Sequence, residues 1–334
     1  MKIHITNIYN EFATSGISQQ KTAKIARELG FREMSIFKYP AATDSDSELN
    51  TRLDGILSAV EHDDIVIIQS PSWNGLRYDL RFVQKLRAYS NVKIIMFVHD
   101  VVPLLFNSGQ EMLQETIKIY NYADLIIASS QGMLDYLSEH GLTVKKQMTQ
   151  QMWDYPIDYQ LNRPTYNKTL FFTGDPTRFP FVRTWKGITP LSVYTYENIS
   201  TEGLNLDIRG RKNELELLTD LSRGGYGLVW SSNQDTAQYY QLLQPYKVAT
   251  FLAAGIPVII QRGLSVEKII TDNGLGFVID TLEEADAIVQ STTQEQYQSM
   301  ISRIQEFNFL IREGWFTKKM LSDAIMMLLN NNNN

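Results

Sequence analysis

The residues best suited to chemistry lie in the string QPYKVATFLAAGIPVIIQ, from Gln244 to Gln261. A helix through Lys247–Ala254 would end at Gly255, because glycine accepts the left-handed turn that closes a helix. Pro257 then stops helical continuation, and Val258–Ile260 supplies a buried strand. Tyr246 and Lys247 fall at the helix start, where unpaired amides and the dipole favour an anion. The Lys247 ammonium adds a point charge suited to a diphosphate. The plainer account is a well-made helix–turn–strand unit with no ligand. A second string, FFTGDPTRFPFV from Phe171 to Val182, sets a strand before a Gly-Asp-Pro turn. Arg178 would project near that strand's carboxyl end, where ligands of open α/β sheets gather. Its guanidinium could fork onto a phosphate, or form the surface ion pair that is commoner for an isolated arginine.

Other residues offer weaker chemistry. In FATSGISQQ, the residues Thr14, Ser15 and Gly16 make a donor-rich turn leading into a helix at Ser18 or Gln19. The turn is placed to touch a sugar or an acceptor, and Ser18 is equally a plain N-cap. It is not a GxGxxG fingerprint, so a dinucleotide site has little support. His99 ends a strand in MFVHDVVPL, where an imidazole can bind a sugar hydroxyl, act as a general base, or only hold the next loop. Trp73, in SPSWN, offers an apolar face to a sugar ring or packs under its own loop. Asp44-Ser-Asp46 has the DxD spacing of a metal–diphosphate site, but helix capping before Glu48 accounts for it adequately. No other carboxylate cluster stands out, which predicts chemistry without a metal.

These residues need a scaffold, and the first half of the chain supplies short β-rich runs alternating with helical stretches. Ile3–Ile8, Met34–Phe37, Asp64–Gln69, Val92–Val98 and Leu125–Ala128 read as strands. Apolar runs of that length separated by helices predict a parallel sheet covered on both faces, and right-handed crossovers make it Rossmann-like. Gln150–Asn167 is polar, with Pro156 and Pro164, and reads as an interdomain connection. Beyond it, Thr169–Thr173, Leu191–Tyr194, Gly227–Trp230, Pro257–Ile260 and Gly276–Ile279 are strand candidates, and 294–329 reads as one helical stretch. The predicted organisation is a first Rossmann-like domain over 1–155, a second over 156–312, and a C-terminal helix over 313–334. The last five asparagines read as a frayed end.

Composition fits this outline. The 334 residues exceed what one core usually organises, and 43% hydrophobic with 20% charged residues is ordinary for a globular α/β chain. A net charge of −6 with dispersed cations argues against nucleic acid as a partner. No apolar run approaches the roughly 20 residues of a membrane span, and the N-terminus lacks a signal-peptide pattern. The absence of cysteine excludes disulfides and thiolate sites. The prediction is a soluble, cytoplasmic protein.

Two Rossmann-like domains with a helical end also describe the GT-B architecture of glycosyltransferases, in which the domains face a cleft and the C-terminal helix returns to pack on the first domain; periplasmic-type binding proteins and some epimerases share that outline. The string around Lys247 resembles the GT-B nucleotide-binding segment. More specifically, the chain resembles the second-step glucosyltransferases of bacterial serine-rich-repeat adhesin glycosylation. The resemblance rests on ITNI at Ile5–Ile8, RLDGI at Arg52–Ile56, FVHDVVPL at Phe97–Leu104 and MWDYP at Met152–Pro156. It continues through GDPTRFPFV, GGYGLVW at Gly224–Trp230 and FLAAGIPVI at Phe251–Ile259. It implies UDP-glucose as donor, an adhesin carrying N-acetylglucosamine on Ser or Thr as acceptor, metal independence and a homo-oligomer, a tetramer. By motif position Arg178 and Lys247 would hold the diphosphate with Tyr246 beside them, and Thr14 would face the sugar. The family's aromatic nucleotide contact falls near Arg211 here, which implies a guanidinium stack or a contact elsewhere. The rival readings are a galactofuranosyl- or other hexosyltransferase of capsule or cell-wall synthesis, and a non-catalytic partner that binds a nucleotide sugar or glycoprotein.

Overall fold

In a computed structural model that describes residues 1–106, 108–232 and 239–330, the chain builds two parallel six-stranded sheets. The frayed end expected of the terminal asparagines falls, over 331–334, outside the described residues. The chain divides into one unit of Met1–Gln151 with the stretch from Phe316 onward, and a second of Met152–Trp315.

In the first unit the strands are β1 (Ile3–Tyr9), β2 (Arg32–Phe37), β3 (Ile65–Ser70), β4 (Lys93–Val98), β5 (Leu125–Ala128) and β6 (Lys146–Thr149), in the order β2-β1-β3-β4-β5-β6. The helices are α1 (Thr14–Glu28), α2 (Asp46–Leu57), α3 (Leu76–Leu86), α4 (Val102–Leu105), α5 (Gln110–Tyr120) and α6 (Gln131–Glu139). β3 and β5 are buried at every position, as strands covered on both faces must be. β6 was missed by sequence because KQMT is a short, half-buried edge strand without an apolar run. The strand order reverses between β1 and β3, so the loops leaving their carboxyl ends diverge and open a crevice there.

The second unit has β7 (Leu170–Thr173), β8 (Leu191–Tyr194), β9 (Leu206–Ile208), β10 (Tyr226–Val229), β11 (Val258–Gln261) and β12 (Gly276–Ile279), in the order β12-β11-β10-β7-β8-β9. Its helices are α7 (Glu214–Leu221), α8 (Tyr246–Ala253), α9 (Glu267–Asp272), α10 (Leu282–Ser291) and α11 (Gln294–Arg312). Here the order reverses between β7 and β10. Both sheets are therefore Rossmann-like.

Three expectations need correction. The last helical stretch is two helices, α11 and α12 (Trp315–Leu329), parted by Gly314 in a left-handed conformation at φ 74°. α12 is tied to the first unit by a Lys318–Glu28 ion pair at 2.8 Å and by Lys146 Nζ donating to the Met327 carbonyl at 2.6 Å. Second, Met152–Pro156, read as part of an open connection, is buried. Residues 152–155, placed by sequence in the first domain, belong to the second unit. There Trp153 Nε1 donates to the Gln244 carbonyl at 2.8 Å and the Tyr155 amide donates to Ile311 at 3.0 Å. Third, α1 begins at Thr14 rather than Ser18, with Ala13 as an N-cap that makes no side-chain bond.

Candidate active site

β7 ends at Thr173, and the Gly-Asp-Pro turn carries the chain away from the switch point of the second sheet with Arg178 exposed on it. Lys247 is the second residue of α8, whose first turn holds no acidic residue and whose N-cap Pro245 offers no side-chain acceptor. Phe179 brings the two cations together. The Lys247 ammonium lies 4.0 Å from the Phe179 ring centroid and 5.3 Å from that of Phe172, while the Arg178 guanidinium lies 5.5 Å from Phe179. Neither side chain has an ion pair among the described residues. Burial against these rings, and secondarily the Arg178 charge, pull the Lys247 pKa down to about 7. Two cations held close without a carboxylate between them, beside open helix amides, make a site for a doubly charged anion.

Local chemistry fixes this geometry. The Gly255 amide donates to Leu252 at 2.8 Å and the Ile256 amide to Phe251 at 3.2 Å, the closure expected of a glycine at φ 89°. A Cβ on Gly227 of β10 would stand 2.1 Å from Phe251 Cγ of α8. Only glycine lets the helix lie so close to its strand.

Tyr246 does not present its side chain to this site. Its ring packs on Trp153 and Tyr155 at 5.7 and 5.4 Å, and its hydroxyl donates to the Asp154 carbonyl at 3.3 Å. Burial drives its pKa well above the usual phenol value, so it stays neutral and serves as an anchor for α8. Arg211, just beyond β9, stacks at 4.6 Å on the ring of Tyr196, which follows β8 and is 77% exposed. The sequence reading missed Tyr196, and an exposed aromatic after a buried strand was the available signal.

In the first unit, Thr14, Ser15 and Gly16 form the first turn of α1 at the β1–β3 switch point; Thr14 is exposed and the other two are buried. This helix N-terminus differs from that of α8. Glu11, buried at the end of β1, accepts from the Ala13 amide at 2.8 Å and pairs with Lys38. A Cβ on Gly16 would lie 2.1 Å from the Glu11 backbone carbonyl oxygen, so only glycine lets the first turn of α1 pack this closely on the preceding loop. Ser18, expected as a cap, lies within α1 and meets His99 Nδ1 at 3.0 Å. His99 is buried, and burial holds its pKa down to about 3. An imidazole that reluctant to take a proton is a weak general base near neutrality, so His99 is suited to hydrogen bonding instead. Asp44 pairs with Arg52 at 3.0 Å and Asp46 with Arg77 at 2.8 Å, while Ser45 and Glu48 form a capping box. Among the described residues no group of three or more His, Asp or Glu side chains could hold a metal ion.

Residues 2–152 match the glucosyltransferase 3-like N-terminal domain and residues 170–324 the glucosyltransferase 3-like C-terminal domain. The chain is 44% identical to glucosyltransferase 3 of Streptococcus gordonii, covering 98% of this chain and 100% of that one. It is 38% identical to glucosyltransferase 3 of Streptococcus parasanguinis over 98% and 99% of the two chains. The Anabaena protein HepE, solved in complex with UDP-glucose, superposes with a TM-score of 0.69 at 10% identity over 98% of this chain and 100% of its own. With both sheets Rossmann-like, the fold is GT-B. No helix among the described residues is long and apolar enough to cross a membrane.

Proposed function

The chain belongs to the glucosyltransferase 3-like family and is a hexose-transferring enzyme of the GT-B fold, and on that premise we propose that it moves glucose from UDP-glucose to N-acetylglucosamine on Ser or Thr of a serine-rich-repeat adhesin. The observation that carries the donor half is the Lys247–Arg178 pair on the shared Phe179 ring, beside the open N-terminus of α8. In this reading both cations meet the pyrophosphate and stabilise the negative charge that grows on the departing UDP, with no metal needed. Arg211 and Tyr196 offer flat faces for the uracil ring. In the first unit, where Glu11 already answers the helix N-terminus, Thr14 and the neutral His99 hydrogen-bond sugar hydroxyls. The same reading puts the protein in the cytoplasm, where bacteria make nucleotide sugars. The homo-oligomer belongs to the same reading, and an exposed Phe309–Trp315 pair at 6.3 Å gives it an apolar surface to bury.

The test is a donor screen against a synthetic peptide bearing N-acetylglucosamine on serine, with UDP release and product mass measured together. UDP-glucose should give equal amounts of UDP and of peptide heavier by one hexose. Lys247→Ala should lower kcat/KM by on the order of 10²–10³-fold with an unchanged circular dichroism spectrum. Binding of UDP without transfer, or preference for another nucleotide sugar, would overturn the reading.

A further inference from the structure

The loop that follows β3 in the first unit holds an aromatic side chain in a conformation such residues rarely take. Trp73 has φ 60°, in the left-handed region that favours glycine. Its neighbours enforce this setting. Gln19 of α1 donates to the Pro71 carbonyl at 2.9 Å, and the Ser72 hydroxyl donates to the Asp79 carboxylate of α3. The Asn74 side chain donates to the Phe37 carbonyl at 3.2 Å and accepts from the Tyr39 amide at 2.9 Å, at the end of β2. Three elements thus clamp a five-residue stretch whose one large side chain, Trp73, stays half-buried at the β1–β3 switch point.

Exposed aromatic residues end the two strands beside this loop, and the cation nearest the indole is already paired. Phe37, whose carbonyl the loop binds, is 61% exposed, and its register partner Tyr9 is 40% exposed. Lys38 lies 5.8 Å from the Trp73 ring but is paired with Glu11. The Tyr9 hydroxyl donates to Glu33, which also pairs with Arg27. Among the described residues, the charges named here are paired and do not draw a phosphate, whereas an indole face suits the C–H face of an uncharged sugar.

We propose that the Trp73 loop is the platform on which the acceptor's sugar lies, its pyranose ring against the indole and Phe37 at its margin. This rests on the glycosylated acceptor proposed above and assigns the residue that selects it. An inserted ring finds the indole already held, so the acceptor need not order the loop on arrival.

The test uses the full chain and two readouts. Saturation-transfer NMR with the methyl glycoside of N-acetylglucosamine, without donor, should show binding to the native protein and to Trp73→Phe, and none to Trp73→Ala. In transfer assays Trp73→Ala should raise the acceptor KM by about tenfold, leaving the donor KM and the rate of UDP-glucose hydrolysis within about twofold. Equal glycoside binding by the native protein and Trp73→Ala overturns the platform, as does its absence from the native protein. A matched loss of donor hydrolysis would show a structural role and overturn it too. A native protein that binds the glycoside yet transfers no glucose would sink the proposed reaction and leave this inference standing.

Discussion

An ammonium seated on two phenylalanine rings beside a guanidinium gives up its proton far more readily than lysine in water, and under the proposed function this makes donor binding pH-dependent. The diphosphate diester of UDP-glucose keeps its charge near neutrality and favours the protonated lysine. Below about pH 7 the free protein already carries that proton; above it, binding must take one up. Affinity for UDP-glucose should therefore be flat below pH 7 and fall above it, by up to about tenfold per unit. Calorimetry in buffers of different ionisation enthalpy should register the proton uptake at pH 8. Lys247→Arg should flatten the profile, and a native profile flat from pH 6 to 9 would contradict the account. Lys247 and Arg178 were legible in the sequence because each is announced locally, by a helix start and a Gly-Asp-Pro turn. Phe179 as their common floor was not, since a ring's partner 68 positions along the chain leaves no local trace. His99 was legible as a strand-end residue, but the burial that weakens it as a base comes from packing.

At the scale of elements, the site depends on α8 lying flat on β10. Gly227→Ala would thrust a methyl into Phe251, and because both are buried the helix must shift. The expected cost is about 1–3 kcal/mol of stability in the second unit, measured by urea denaturation, with a weaker UDP-glucose affinity as Lys247 moves with its helix. An unchanged affinity at lowered stability would separate the helix position from the donor site. The buried strands were readable because β5 is apolar throughout and β3 opens on the apolar run Ile65–Ile68. The edge strands were not: β9 is three half-buried residues. The start of α1 was misplaced because Ser18 has the side chain of a cap, whereas the N-cap amide, that of Ala13, is met by Glu11, upstream of the helix.

For the whole molecule, the repeated strand–helix alternation made two Rossmann-like sheets legible, and the expected boundaries at 155 and 312 fall within four residues of the divisions after Gln151 and Trp315, whose exact places are set by packing. α12 buries Met320, Leu321, Ile325 and Leu328. At roughly 1.5–3 kcal/mol for each large apolar side chain, removing the helix forfeits an amount comparable to a domain's entire stability of about 5–15 kcal/mol. A chain ending at Gly314 should lose the melting transition of the first unit and keep that of the second, as hydrogen exchange resolved by peptide would reveal. Two retained transitions would mean that α12 is dispensable.

The return of the C-terminal helix also sets an order of assembly. A ribosome releases the second unit's last residues before it makes α12, although the first unit's sheet was made long before. The half synthesised first is thus the half completed last. A chain cut short before α12 would carry every strand of both sheets while the first unit still lacked its closing helix.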